Sequence, residues 1–470
     1  MHKIINLLRK MPLQEKIFLA IGLIFGLGFV FVSPPMKSPD EPQHYYRSYE
    51  VSEFDFIATK YSSGRYGYSL PSNVGAFGEQ FLIGEERHSP PDKAIIKKLN
   101  NETASTARRE IHFENTAVYS PVGYIFSAMG VKLANLLQLS ILKGYYLGRL
   151  LNLSLYLVLV ALAICIAPAF RWILMSITLL PMSLFQAASF SPDATTNGLA
   201  CLAVGLFLYL LNKRHVNVHN LLASLAVLIP LALTKQVYIL FFLPYIFLPK
   251  QKFTSIKWRI GWLTAIILLP IIFSLIWLGI SFDISSKIAV MFQLGSNVSV
   301  TGQIRYILAH PLGFTHILMV TLFGGQSDNL LKGVFGLLGW ATISLPFYTY
   351  LAIAITLVLS VLTDASTVTS RFVSRYHKLI FGITGILIVI CVCTLLYLTF
   401  TPVRLPRING LQGRYFIPSL FLLLPVLVSK KFVLRVQERN FAIFQTVATC
   451  LILASSLLVL YEETFMKSVM

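Results

Sequence analysis

Apolar runs close to the roughly 20 residues that cross a bilayer as a helix recur along the chain, separated by short polar or basic stretches. The first, Ile17 to Val32, follows a basic start containing Lys3, Arg9, Lys10 and Lys16. No small-x-small cleavage pattern comes after it, so it reads as an uncleaved signal anchor. Gly22 and Gly26 within it have the Gly-x-x-x-Gly spacing of closely packed membrane helices. Two longer polar segments interrupt the pattern. Met36 to about Val118 mixes Tyr, Phe, Arg and Glu and is too long for a turn, which predicts short helices lying on the membrane surface. The stretch from about Ser281 to Thr342 contains the amphipathic segment Ile304 to Phe323, expected to rest at the interface.

Gly and Pro fall inside the apolar runs, which membrane helices tolerate because neighbouring groups re-satisfy the freed backbone. Of 470 residues, 56% are hydrophobic and 13% charged, and the mean hydropathy is +0.70. A soluble core of this size would not bury so much apolar surface. The expected fold is an all-α polytopic membrane protein of about eleven transmembrane helices, with about twelve to thirteen as the alternative count. The net charge of +19 is first a topology signal, since Lys and Arg collect in short cytoplasmic loops, and it does not call for nucleic acid. Cys165, Cys201, Cys391, Cys393 and Cys450 all lie in apolar runs and support neither a zinc site nor a disulfide framework. His88, His112 and His310 are scattered without metal-ligand spacing, and no sequence repeat is evident.

The basic clusters Lys213 to His215, Lys250 to Arg259, Arg371 to Lys378 and Lys430 to Arg439 read as cytoplasmic loops and set the parity of the spans. With a cytoplasmic N-terminus, Asp40, Asp193, the Thr234-Lys235-Gln236 turn, Thr401 to Gln412 and the C-terminal Tyr461-Glu462-Glu463 are then expected outside. Only one inward crossing fits between Val118 and Arg171, best assigned to about Leu147 to Ala167. The apolar stretch Tyr119 to Leu139 should therefore be surface-bound or partly inserted.

Candidate chemistry gathers at the outer boundary. Asp40 and Glu41 stand side by side in Ser38-Pro39-Asp40-Glu41-Pro42-Gln43-His44-Tyr45-Tyr46-Arg47, where the first run leaves the membrane. Two ionised acids beside a low-dielectric slab are costly unless a metal ion or a substrate proton uses them. On a helix starting here Asp40, His44 and Arg47 share a face. A plain reading also fits: Asp40 after Pro39, with Pro42 in the first turn, makes a good N-cap. Asp193, in Ser189-Phe190-Ser191-Pro192-Asp193, is either a second functional carboxylate or the cap of the following helix. Lys235, Arg404, Arg407 and Arg414 violate the positive-inside rule. Each is either a snorkelling helix-end cation or a phosphate ligand, a task the planar guanidinium suits.

Across nearly its whole length the chain resembles a bacterial family of multi-pass membrane proteins of unknown function and, through it, the GT-C superfamily of glycosyltransferases that use lipid-linked sugars. Besides the Asp40-Glu41 segment, the resemblance is carried by Tyr119-Ser120-Pro121-Val122-Gly123-Tyr124, Arg149-Leu150-Leu151-Asn152, Leu180-Pro181-Met182 with Ser189 to Asp193, and Lys235-Gln236-Val237-Tyr238. Phe323-Gly324-Gly325 with Leu345-Pro346, and Gln412-Gly413-Arg414-Tyr415-Phe416-Ile417-Pro418, complete it. It implies a GT-C-like bundle in the bacterial plasma membrane, working at the extracytoplasmic face with a polyprenyl-phosphate-linked sugar donor and a glycan or lipid-linked acceptor, with inversion at the anomeric carbon. In it Asp40 is similar to the general base, with Glu41 orienting the acceptor or a metal ion. Asp193 resembles the second acidic position, and Lys235 and Arg414 look like phosphate ligands; His44, Arg47, Arg404, Arg407 and Tyr415 are the further substrate-binding candidates of this chain. A divalent cation, Mg or Mn, held by Asp40, Glu41 and Asp193 is the candidate cofactor. No soluble C-terminal domain of the kind some such enzymes carry is expected, which leaves acceptor recognition to the two polar segments. A transporter or flippase of a lipid-linked sugar is the alternative, although that class ought to show charges deep in its spans and symmetry between halves.

Overall fold

The structure is a computed structural model that describes residues 11–79, 93–291, 298–325, 327–365 and 373–466. Lys3, Arg9, Lys10, His88 and Arg371 lie outside the described residues. Among the described residues seven helices are long and apolar enough to cross a membrane: Leu13–Val32, Ile141–Ile166, Asp193–Asn212, Ile256–Ser285, Phe347–Asp364, Arg375–Phe400 and Glu438–Met466. An eighth is added if Val300–Ala309 and Pro311–Phe323, bent by 108° at Pro311, form one broken span.

The expected count of eleven is not reached by helices of spanning length. Four of the expected runs are shorter or broken. Pro181 opens a new helix and splits one run into Arg171–Thr178 and Pro181–Ala187. The others are Val218–Thr234, Gln236–Ile246 and Gly413–Leu427. The stretch after Tyr119 forms a turn, Pro121–Tyr124, and a helix, Ile125–Leu136, of 12 residues.

Close contact between helices follows from small residues. A Cβ on Gly22 or Gly26 would lie 2.8 Å from the side chains of Leu157 or Leu153, so the first helix can approach Ile141–Ile166 only because those positions carry none. The Asp193–Asn212 helix is the central one, with nearly every residue buried.

The segment from Met36 to Val118 departs from the all-helical expectation. Between short helices it carries a three-stranded antiparallel sheet, β1 (Thr59–Lys60), β2 (Tyr66–Pro71) and β3 (Arg108–His112), in the order β1-β2-β3 with Gly67 opposite His112. Period-two signals in strands this short are too weak to read among the charged residues. Arg65 pairs with the buried Glu114 behind the sheet.

The Ile256–Met291 helix has 36 residues, about 54 Å at 1.5 Å per residue, against a hydrocarbon core of about 30 Å. It therefore continues past the membrane and buttresses this subdomain. Trp277 Nε1 donates to the Val118 carbonyl at 2.9 Å, and Asp283 accepts from Lys60 and from the Tyr66 hydroxyl, each at 3.2 Å. At the opposite end, Gln14 meets Glu438 at 3.1 Å and Asp364 accepts from the Ile173 amide at 3.0 Å.

Candidate functional site

The chain leaves the first helix through Pro34-Pro35 and turns sharply. Met36 and Asp40 both take left-handed backbone angles, with φ of 65° and 59°. Non-glycine residues rarely adopt this conformation, and where they do the surroundings hold them there, often at a functional site. Met36 is held on both sides: its amide donates to the Tyr145 hydroxyl at 2.9 Å and its carbonyl accepts from Trp340 Nε1 at 3.2 Å. Asp40 occupies the N-cap position of the Glu41–Ser52 helix, yet its side chain makes no capping hydrogen bond. Its carboxylate lies 3.6 Å from Arg414 Nη2.

Glu41 points the other way. It forms a two-pronged pair with Arg149, Oε1 to Nε at 2.9 Å and Oε2 to Nη2 at 2.8 Å, and both side chains are fully buried. The amides of Ser38 and Phe190 also donate to it. Arg149 spends its other N–H groups on the carbonyls of Val30, Ser33 and Pro34. With its oxygens so engaged, Glu41 serves here as the clamp that sets the turn, rather than as a second acid beside Asp40.

A second carboxylate reaches Arg414 from a distant part of the chain. Asp193 begins the central helix, and the bend before it is fixed by Asn152, whose Nδ2 donates to the carbonyls of Ser189 and Ser191 at 2.7 and 3.1 Å. Its Oδ2 lies 3.5 Å from Arg414 Nη1, and its Oδ1 pairs with Lys235. Lys235 sits in extended backbone between Val218–Thr234 and the 3₁₀ turn Gln236–Phe242, so it faces the end of the bundle rather than continuing a helix.

The Tyr238 hydroxyl donates to the Tyr415 carbonyl at 2.8 Å and couples this turn to the one that carries Arg414. Gly413 lets the Arg414 turn pack closely on the Ser327–Phe335 helix, because a Cβ there would collide with the backbone of Leu330 and Gly333. Tyr415 presents its ring to both cations, 4.6 Å from Lys235 Nζ and 5.3 Å from Arg414 Cζ, a cation–π arrangement.

Two acids and two bases from four separate segments thus form one balanced cluster. Its burial is graded: the Arg414 and Asp193 side chains are 5% and 7% exposed, Lys235 15% and Asp40 30%, so Asp40 is the acid at the mouth. The hydrogen-bonding capacity is not used up. Arg414 Nε and Asp193 Oδ2 are buried with no hydrogen-bond partner among the described residues, while Arg414 Nη1 donates to Gln186 Oε1 at 3.4 Å. Polar atoms of this kind retain hydrogen-bonding capacity that water or a ligand can take up.

The remaining expected residues divide. His44 adjoins the cluster and is held by Tyr124, Nδ1 to hydroxyl at 2.9 Å. Burial, reinforced by the nearby Arg414 and opposed by Asp193, pushes its pKa down to about 3, so the imidazole is neutral. Arg47 is not part of the cluster. Although it shares the helix, it is fully buried in a pair with Glu50 and donates to the carbonyls of Phe56 and Tyr119. Arg404 and Arg407 expose their side chains and join no ion pair among the described residues.

A metal does not fit the residues suggested for it. Arg149 occupies Glu41, and Arg414 and Lys235 stand where a cation between Asp40 and Asp193 would go. Among the described residues no group of three His, Cys, Asp or Glu side chains is arranged to hold one. Sequence reasoning missed Gln186, Tyr119 and Tyr124 as neighbours of the cluster. Tyr119 lies 6.0 Å below Lys235 Nζ, and burial raises its pKa far above the ordinary tyrosine value. Nothing separates such Gln and Tyr residues from ordinary packing residues until the fold is known.

Taken together, the long apolar helices and the polar cluster at their ends define a multi-pass membrane protein. Residues 23–423 match the family described as "Predicted membrane protein (DUF2142)", and the chain belongs to that family. No curated protein and no solved structure matches the chain.

Proposed function

We propose that this protein is a glycosyltransferase of GT-C type, moving a sugar from a polyprenyl-phosphate donor to a cell-envelope glycan at the extracytoplasmic membrane face. The observation that carries the reading is the convergence of Asp40, Asp193, Lys235 and Arg414 at one end of the bundle, with a donor on Arg414 left unused. The chemistry needs a base for the acceptor hydroxyl and fixed cations for the departing phosphate.

Asp40, the most exposed of the four residues, takes the proton as the hydroxyl oxygen bonds to the anomeric carbon. The carbon–oxygen bond to the lipid phosphate breaks, and Arg414 and Lys235 stabilise the negative charge that grows on the leaving oxygen. Asp193 holds both cations in position between turnovers. Neutral His44 and the ring of Tyr415 line the approach and add no competing positive charge. Attack from the face opposite the phosphate inverts the anomeric centre.

The test is transfer by purified protein in detergent, with a panel of polyprenyl-phosphate-linked hexoses and pentoses and envelope glycan acceptors. Wild-type protein is expected to form product, and Asp40→Asn none. Product from Asp40→Asn at the wild-type rate would remove Asp40 from the chemistry. A lipid-linked sugar flippase, by contrast, would form no product in detergent and would show its activity only across a sealed membrane.

A further inference from the structure

A second feature lies away from the charged cluster. A groove of about 380 Å³ is lined by Phe31, Leu142, Tyr146 and Phe465 and edged by Lys93 and Lys97. Its volume falls within the usual range of small-molecule sites. Phe31 is in the last turn of the first helix, Leu142 and Tyr146 are in the first turns of Ile141–Ile166, and Phe465 closes the last long helix. Three span ends therefore meet at the groove, which fixes it at headgroup depth.

The rim is basic and amphipathic. Lys93 and Lys97 stand one turn apart on the Lys93–Asn101 helix, which buries Leu99 and half-buries Ile95 and Ile96. Both lysines are exposed, and neither makes an ion pair with a described residue, whereas Lys98 has Glu102. A basic amphipathic helix at a bilayer surface attracts anionic headgroups. Below the lysines, Phe31 and Tyr146 lie together with ring centroids 5.5 Å apart and offer an apolar floor.

We propose that this groove binds one anionic phospholipid, its phosphate against Lys93 and Lys97 and an acyl chain along Phe31, Tyr146 and Phe465. A zwitterionic lipid brings its own cation to the two lysines and is disfavoured. The site is independent of the transfer reaction, since none of its residues belongs to the Asp40–Arg414 cluster. It also touches the framework, because Pro34 lines the groove and its carbonyl accepts from Arg149 at 3.0 Å. A bound lipid would therefore brace the turn that carries Asp40.

Native mass spectrometry of the full chain in detergent, with equal amounts of phosphatidylglycerol and phosphatidylcholine of matched chains, tests this. Wild-type protein is expected to retain phosphatidylglycerol about tenfold over phosphatidylcholine, and the exposed double variant Lys93→Gln/Lys97→Gln to lose that preference. Inorganic phosphate is expected neither to be retained nor to displace the lipid, because it has no chain for the groove. Equal retention of the two lipids by wild type, an undiminished preference in the double variant, or displacement by inorganic phosphate would each overturn the proposal. A circular dichroism spectrum like wild type shows that the double variant is folded.

Discussion

Asp40 and Glu41 are neighbours in the chain, yet they occupy opposite electrostatic situations. Glu41 is sealed from solvent and matched two-for-two with Arg149, and neither partner has a buried polar atom without a hydrogen bond. Asp40 opens to the outside and meets Arg414 at 3.6 Å, in a cluster that leaves Arg414 Nε and Asp193 Oδ2 unfilled. A saturated pair holds a shape, while a loosely paired one can exchange its partner for a ligand. An acid and an arginine therefore form a sealed framework pair at one position and a looser, part-exposed pair at the next.

The largest effect expected is at the sealed pair. Removing one partner of a buried ion pair strands the other and costs about 3–5 kcal/mol. Arg149→Ala should therefore lower the thermal midpoint sharply and reduce the yield of folded protein, as read by fluorescence-detected gel filtration. Asp40→Asn, a partly exposed change, should shift stability by less than about 1 kcal/mol. Two variants of equal stability would erase the distinction between the pairs.

Within the cluster, Arg414→Lys keeps the charge but loses the planar fork, and the proposed transfer should fall by about a hundredfold. The thermal midpoint should barely move. An unchanged rate would mean that charge alone is needed there.

A smaller effect concerns pH. His44 is neutral in the folded protein with its pKa pushed down to about 3, while in the unfolded chain it titrates near its ordinary value of 6.5. The unfolded state therefore binds more protons between those values, and stability should fall as pH drops below about 6.5. His44→Gln should weaken that dependence in thermal melts between about pH 7 and pH 5. An identical slope would place the titrating group elsewhere. The smallest effect is expected from Arg404→Ala and Arg407→Ala, which should leave both stability and the proposed transfer within about twofold of wild type, since exposed changes of this kind rarely exceed about 0.5 kcal/mol.

The comparison also marks the limit of what residues reveal before folding. Long apolar runs showed a helical membrane protein, because spanning length and hydropathy are local properties. Runs broken by Pro181 or cut short after Thr234 looked the same as spans. The charge rule singled out Lys235 and Arg414, which the fold brings to Asp193, and also Arg404 and Arg407, which it leaves in solvent. Charge sign and position at a helix end are legible in sequence, but the direction a side chain takes is not.

For the same reason Arg47 looked aligned with Asp40 on one helix face, while a local partner three residues on, Glu50, takes it away. The role of Glu41 was hidden because its partner, Arg149, comes from 108 residues away. Only the tertiary structure shows that it is a clamp.

The most direct measurement is an electron cryomicroscopy structure of the protein with a polyprenyl phosphate. Phosphate density within hydrogen-bond reach of Arg414 and Lys235, with Asp40 facing it and the Glu41–Arg149 pair intact, is the expected result. Density bound elsewhere while Arg414 stays between Asp40 and Asp193 would contradict the assignment of this cluster to a lipid phosphate.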